Sequence, residues 1–214
     1  MSKCAKADVK ESLEFYKCLG YAGVFITNHF IDGNMNYDKT APYEERIEFY
    51  FSDYEKGVQL GKEIGISVFL GVESSYKGTD FLIYGLDKAW FLEHPEIESL
   101  KRSEMLTFMA EEGALIVQAH PFREARYIDH IRLFPRHIQG VEICNANRTD
   151  AENSMAENYA RYYGLIPFAG SDNHSAAKRK SLAGMMSETP VIDELDFIKQ
   201  VKNGEMTPFH RVFS

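Results

Sequence analysis

Two kinds of pattern alternate along this chain. Short, almost uninterrupted apolar runs occupy residues 22–27 (AGVFIT), 66–72 (ISVFLGV), 80–84 (DFLIY), 114–119 (ALIVQA), 140–144 (GVEIC) and 165–169 (LIPFA). Runs of this length, rich in branched and aromatic residues, predict strands buried on both faces. Between them, apolar positions return every three or four residues, which predicts helices over 8–19, 43–64, 97–112, 151–163 and 192–201. Asp8 and Glu11 have the spacing of a capping box, and Gly20, Gly65, Gly113 and Gly164 stand where helices stop. Residues 30–41 hold Gly, Asn and Asp and predict a loop, and 207–212 predicts a last strand. Strands without polar alternation, each followed by a helix, belong to parallel sheets covered by helices. The expected fold class is α/β: a barrel of the (β/α) type, with an open doubly wound sheet as the alternative. No Gly-, Pro- or Ser-rich linker divides the chain, so one domain is expected over residues 1–214.

Composition narrows the setting. Hydrophobic residues make up 44% and charged residues 26%, as in an ordinary globular chain. No apolar run approaches the roughly 18–20 residues needed to span a bilayer. Lys3 and Lys6 are not followed by the apolar stretch of a signal peptide. Cys4, Cys18 and Cys144 are odd in number and form no CxxC, which argues against a disulfide framework or a zinc knuckle. A reducing, cytoplasmic location is therefore expected, with Cys18 and Cys144 as small buried hydrophobes. The formal net charge of -8 repels phosphate backbones, so nucleic acid is not an expected partner.

The chemistry gathers behind the strands. Asn28 and His29 follow the first run, and Glu73 follows the second. His120, with Pro121-Phe122-Arg123, follows ALIVQA; Asn145 and Arg148 follow GVEIC; Gly170-Ser171-Asp172-Asn173-His174 follow LIPFA. In parallel α/β folds these ends share one face, so residues distant in sequence converge. His29, Glu73, His120, Asp172 and His174 form the convergent set, and imidazole with carboxylate is the ligand chemistry of Zn, Mn and Fe. Five such groups exceed one tetrahedral site and suit two ions, with Glu73 or Asp172 bridging. A single histidine behind a strand is more often a hydrogen-bonded structural residue; ligand-type groups behind four strands are harder to reach by accident. His94, His130, His137 and His210 lack such placement and read as surface or structural. Arg123 and Arg148 are candidates to grip a phosphate, or else solvated surface residues. Asn145 and Ser171 could donate to a substrate or simply satisfy turn backbone. Glu142 sits mid-strand and is left out of the set.

These motifs, in this order, resemble the PHP (polymerase and histidinol phosphatase) family: Thr27-Asn28-His29, Gly71-Val72-Glu73, Ala119-His120-Pro121-Phe122-Arg123, Gly140-Val141-Glu142 with Asn145, and Gly170-Ser171-Asp172-Asn173-His174. The last motif is the most specific. The resemblance implies a distorted seven-stranded (β/α), TIM-like barrel holding two or three divalent ions (Mn, Fe or Zn) and hydrolysing phosphate esters. It places His29, Glu73, His120, Asp172 and His174 on metal-ligand positions, and Arg123 and Arg148 on phosphate-contacting ones. Asn28 stands where the family usually has aspartate. The family opens with a strand ending in histidine-any-histidine, followed by a Ser- and Cys-containing turn that Ser2-Lys3-Cys4 resembles. The expectation is thus a barrel lacking its first strand and first metal motif, from a start codon upstream, from loss of the motif, or with a partner chain supplying the strand. Two unpaired edges would favour poor solubility or homo-oligomers.

The implied reaction is attack by metal-activated water on a small phosphate monoester, with Arg123 and Arg148 stabilising charge and Asp172 as both ligand and proton acceptor. A metal-dependent amidohydrolase is a rival, marked by a lysine ligand at a strand end that this sequence lacks. A third reading is a catalytically impaired relative that binds a phosphorylated metabolite.

Overall fold

The computed structural model describes residues 6–35, 37–176 and 181–212. Ser2-Lys3-Cys4, read above as a turn, lies outside the described residues. The elements run α1 (Val9–Cys18), β1 (Gly23–Ile26), α2 (Tyr43–Ile64), β2 (Ser67–Leu70), β3 (Val72–Tyr76), β4 (Thr79–Tyr84), α3 (Lys88–Glu93), a 3₁₀ turn (Pro95–Glu98), α4 (Arg102–Glu111), β5 (Leu115–Ala119), β6 (Gly140–Asn145), α5 (Asp150–Tyr163), β7 (Ile166–Gly170), β8 (Ser181–Ser187), α6 (Glu194–Lys202) and β9 (Met206–Val212).

Helix boundaries follow local chemistry. Asp8 accepts from the Glu11 amide while the Glu11 side chain returns to the Asp8 amide, closing the expected capping box. Thr149 and Glu152 close another at the start of α5. Gly65 and Gly164 end α2 and α5 with φ of 78° and 66°, the left-handed geometry that glycine adopts without steric cost.

The strand pairing is mixed. β1 pairs with β2 in parallel. β3, β4, β5, β6 and β7 form a five-stranded sheet in that order, and β8 pairs with β9. The expected run 66–72 is divided at Gly71 into β2 and β3, and a parallel bridge between His29 and Glu73 carries the β1 side onward past the break. At Gly71 a Cβ would lie 2.6 Å from Thr27 Cγ2 and 3.1 Å from Tyr84, so the two chains approach too closely there for any side chain. β4 runs antiparallel to both β3 and β5, against the all-parallel expectation. The cause is the two-residue turn Lys77-Gly78, with φ of 48° and 84°, which reverses the chain into a hairpin. Among the described residues the strands do not close into one hydrogen-bonded barrel.

The main core packs α2, α4 and α5 against β3–β6 through Ile47, Phe51, Val72, Phe81, Ile83, Leu106, Met109, Ile116, Val141 and Ala156, all buried. A second cluster holds Tyr84, Leu115, Val117, Phe168, Phe197, Ile198 and Val201. The loop after β1 tucks Phe30, Ile31 and Met35 into the main core. Cys18 departs from expectation: it is exposed, because the apolar face of α1 buries Leu13 instead, and Cys144 is only half-buried. No helix among the described residues is long and apolar enough to cross a membrane.

Candidate metal centre

Because β4 runs backwards, its first residues stand at the same rim as the last residues of β5. Asp80 pairs in register with Ala119, immediately before His120, and Ser75 pairs with Asp80 from the other side. His29, from the end of β1, reaches the same rim through its bridge to Glu73. His29 Nδ1 lies 3.1 Å from Glu73 Oε2, and His120 Nε2 lies 3.7 Å from Glu73 Oε1 and 3.8 Å from Asp80 Oδ2. One ligand atom each from His29, Glu73 and Asp80 lie within 4.8 Å of one another.

The donor set suits a cation. Asp80 is 2% exposed. Arg123 Nη2 comes within 2.9 Å of Asp80 Oδ2, but its N–H is not aligned on that oxygen, which has no hydrogen-bond donor. His120 Nδ1 is likewise buried without a hydrogen-bond partner. Buried polar atoms are normally paired, so the unpaired Asp80 oxygen beside His29 and Glu73 is what a divalent ion would satisfy, while the ring atom His120 turns toward Asp80 is Nε2. Burial favours the neutral imidazole of His120, but the carboxylates of Glu73, Glu142, Asp80 and Asp172 outweigh it and raise its pKa.

The third side of the rim comes from β6 and β7. Their register slips between Glu142 and Cys144, leaving Ile143 as a bulge. In a regular strand Glu142 and Asn145 would point to opposite faces; the bulge turns both inward. Asn145 Nδ2 donates to Glu142 Oε2 at 2.9 Å, and the His120 backbone N–H donates to the same oxygen at 3.0 Å. Burial pushes the Glu142 carboxyl up to about 7, against the opposing influence of His120 and the Asn145 amide. Beyond β7, Asp172 and His174 meet through Oδ1 and Nδ1 at 3.5 Å, and His174 Nδ1 is also 3.0 Å from the Asp172 carbonyl. The Lys6 N–H donates to the carbonyl of His174, so the chain's first described residue crosses this rim. His120 and Asp172 have φ of 27° and 44°, left-handed values that non-glycine residues hold only under constraint.

His29, Glu73, His120, Glu142, Asp172 and His174 all line one cavity of about 630 Å³. Of the predicted set, His29 and Glu73 fall within the close cluster with Asp80, and His120, Asp172 and His174 share its cavity wall. Arg123 and Arg148 are not in that wall. Arg123 faces Asp80 and donates to the Gly78 carbonyl at the hairpin turn. Arg148 sits where its charge lowers the pKa of Glu152, and its Nε is buried without a hydrogen-bond partner. Ser171 Oγ exchanges hydrogen bonds with the Ala183 backbone, which is the structural reading of that residue. Asn28 donates to Asp53 at 3.0 Å. Sequence reasoning missed Asp80 and Glu142. The signal for Asp80 was an acid opening an apolar run, which places it at the rim once that strand is antiparallel; Glu142 had a signal in the Gly140-Val141-Glu142 motif, but was set aside as mid-strand because the bulge is not visible in the sequence.

No family model matches the chain, and no curated protein matches it in sequence. Solved structures do match in fold. A provisionally assigned metal-dependent phosphoesterase from Bifidobacterium adolescentis superposes with a TM-score of 0.54 at 12% identity, over 81% of this chain and 85% of that one. A two-domain protein from Bacteroides vulgatus, containing a predicted PHP-like metal-dependent phosphoesterase, gives 0.64 at 11%, over 96% of this chain and 61% of that one. PsfC from Pseudomonas syringae gives 0.58 at 16%, over 96% and 82%. Identities this low speak to fold alone, and in that respect the chain resembles these three structures, two of which are named as metal-dependent phosphoesterases or as containing one.

Proposed function

We propose that this protein is a metal-dependent hydrolase of small phosphate monoesters. The observation that carries the reading is the meeting of His29, Glu73 and Asp80 ligand atoms within 4.8 Å, drawn from separate strands. His29, Glu73, Asp80 and His120 would hold one part of a centre of two or three divalent ions (Mn, Fe or Zn), and Asp172 with His174 the other. Such ions supply a Lewis acid that activates water and neutralises charge on a phosphoryl group. Glu73, with one oxygen toward each of His29 and His120, would be the bridging carboxylate. Asp172, at the cavity wall, would accept the proton of the attacking water. Arg123 would act through Asp80, whose negative charge it balances, rather than on the substrate. No lysine is among the described residues of the cavity wall, which favours phosphate esters over the amidohydrolase alternative.

Metal content measured on protein purified without chelator, followed by a panel of phosphate monoesters, tests the reading. About two ions per chain and hydrolysis that EDTA abolishes are expected. Protein that takes up no Mn, Fe or Zn, or that cleaves amides but no phosphate ester, would overturn it.

A further inference from the structure

His120 occupies a left-handed backbone conformation (φ 27°) at the end of β5. A histidine gains nothing intrinsic from that conformation, so its surroundings must impose it. A carboxylate from the neighbouring strand is hydrogen-bonded to this backbone. Glu142 is 3% exposed, and its Oε2 accepts the His120 backbone N–H at 3.0 Å. The same oxygen accepts Asn145 Nδ2 at 2.9 Å, and Asn145 is fully buried. Asn145 is held in turn by α5: its backbone N–H donates to Asn153 Oδ1, and Asn153 Nδ2 donates back to its carbonyl. On the opposite side, Glu142 Oε1 fills the space where Gly170 has no side chain; a Cβ there would come within 2.5 Å of it. Three strand ends therefore close on one carboxyl group.

From this we infer that Glu142 is a positioning residue: it clamps the backbone of His120, with Asn145 and Gly170 as its seat, and so aims the imidazole at Glu73 and Asp80. The inference rests on the metal-centre reading proposed above for the use made of the ring, while the clamp itself is a property of the metal-free chain. Glu142 also lines the cavity wall, and its hydrogen bond to the His120 main chain is the contact on which the inference rests. Its removal leaves a buried N–H without an acceptor and frees the residue that aims the ring.

Two readouts test this, on the full chain. The first is amide hydrogen exchange in the metal-free protein. Glu142→Ala should speed exchange at the His120 amide by about tenfold or more, while Val117 and Ile116 in the body of β5 stay as in the wild type; Glu142→Gln, which keeps an oxygen acceptor, should restore protection. The second is titration with Co²⁺ alone, followed by its visible absorption. Glu142→Ala should weaken binding about 10–100-fold, as for other groups that orient a ligand, and Glu142→Gln should recover most of it. Unchanged exchange at His120 in Glu142→Ala would overturn the clamp, and so would unchanged Co²⁺ affinity and spectrum. If Glu142→Ala does not fold, Gly170→Ala displaces the carboxylate without deleting it, and the same two readouts decide. A wild-type chain that binds no Co²⁺ would count against the hydrolase reading, and the exchange data would still decide the clamp.

Discussion

Glu73 touches two histidines with two different oxygens: Oε2 is 3.1 Å from His29 Nδ1, and Oε1 is 3.7 Å from His120 Nε2. The contact exists because the parallel ladder of β1 runs on past Gly71: the Gly71 N–H donates to the Ile26 carbonyl and the Glu73 N–H to the Asn28 carbonyl, ending in the bridge between His29 and Glu73. One carboxylate thereby joins the ends of strands far apart in sequence.

Replacing Glu73 separates metal retention from folding. Glu73→Gln keeps the volume and removes the charge that both imidazoles face. Metal affinity, measured by titration with Mn²⁺, should fall at least about 100-fold while the melting temperature of the metal-free protein changes little or rises, since a buried like-charge neighbour of Asp80 is removed. Retention of metal at wild-type affinity would remove Glu73 from the ligand set.

Arg123 and Asp80 are a buried ion pair with an unsatisfied oxygen. Arg123→Met leaves the Asp80 carboxylate uncompensated and should destabilise the metal-free protein by about 3–5 kcal/mol. Divalent metal should then raise the melting temperature of this variant more than that of the wild type, because the ion replaces the lost positive charge. Equal shifts in both proteins would show that Asp80 does not face the metal.

The raised pKa of Glu142 makes a pH prediction for the metal-free protein. The carboxyl moves from its ordinary 4.5 to about 7, so between these values the folded state binds more protons than the unfolded state. Stability from this group is fully present below pH 4.5 and is lost as pH rises through 7. Wild type should therefore lose about 3 kcal/mol relative to Glu142→Gln between mildly acidic and mildly alkaline pH, a shift of 2.5 units being worth roughly that much. His120 contributes in the same direction, since its pKa is also raised. Urea unfolding of both proteins across this range, with EDTA present, is the measurement; parallel curves would refute the assignment.

Gly71 tests whether the close approach of β1 at this point builds the site. A Cβ at 2.6 Å from Thr27 Cγ2 forces β1 away from β3. Gly71→Ala should cost about 1–3 kcal/mol in stability and should lower metal affinity as His29 moves from Glu73. Loss of stability with full metal affinity would mean that the bridge is not what positions His29.

Much of this architecture was legible from local pattern. The helices over 8–19, 43–64 and 151–163 and the strands at 114–119, 140–144 and 165–169 are close to α1, α2, α5, β5, β6 and β7. The residues behind the strands, His29, Glu73, His120, Asp172 and His174, do line one cavity. The expected helix 97–112 is shorter, preceded by α3 and a 3₁₀ turn in which Pro95 and Asp87 mark the starts. β3 escaped notice because Glu73-Ser74-Ser75 is polar, yet Ser74 is fully buried and donates to Asp32.

Buried strands, amphipathic helices, caps and stops depend on residues within a few positions of one another, and for these the order of side chains along the chain was sufficient. The direction of β4, the bulge at Ile143 and the company each ligand keeps depend on which strands pair and in what register. Those are settled between segments distant in sequence, by shared burial and by backbone hydrogen bonds that no local window contains. Asp80 and Glu142 entered the site by that route, and Arg123 turned from the cavity to Asp80 by the same one.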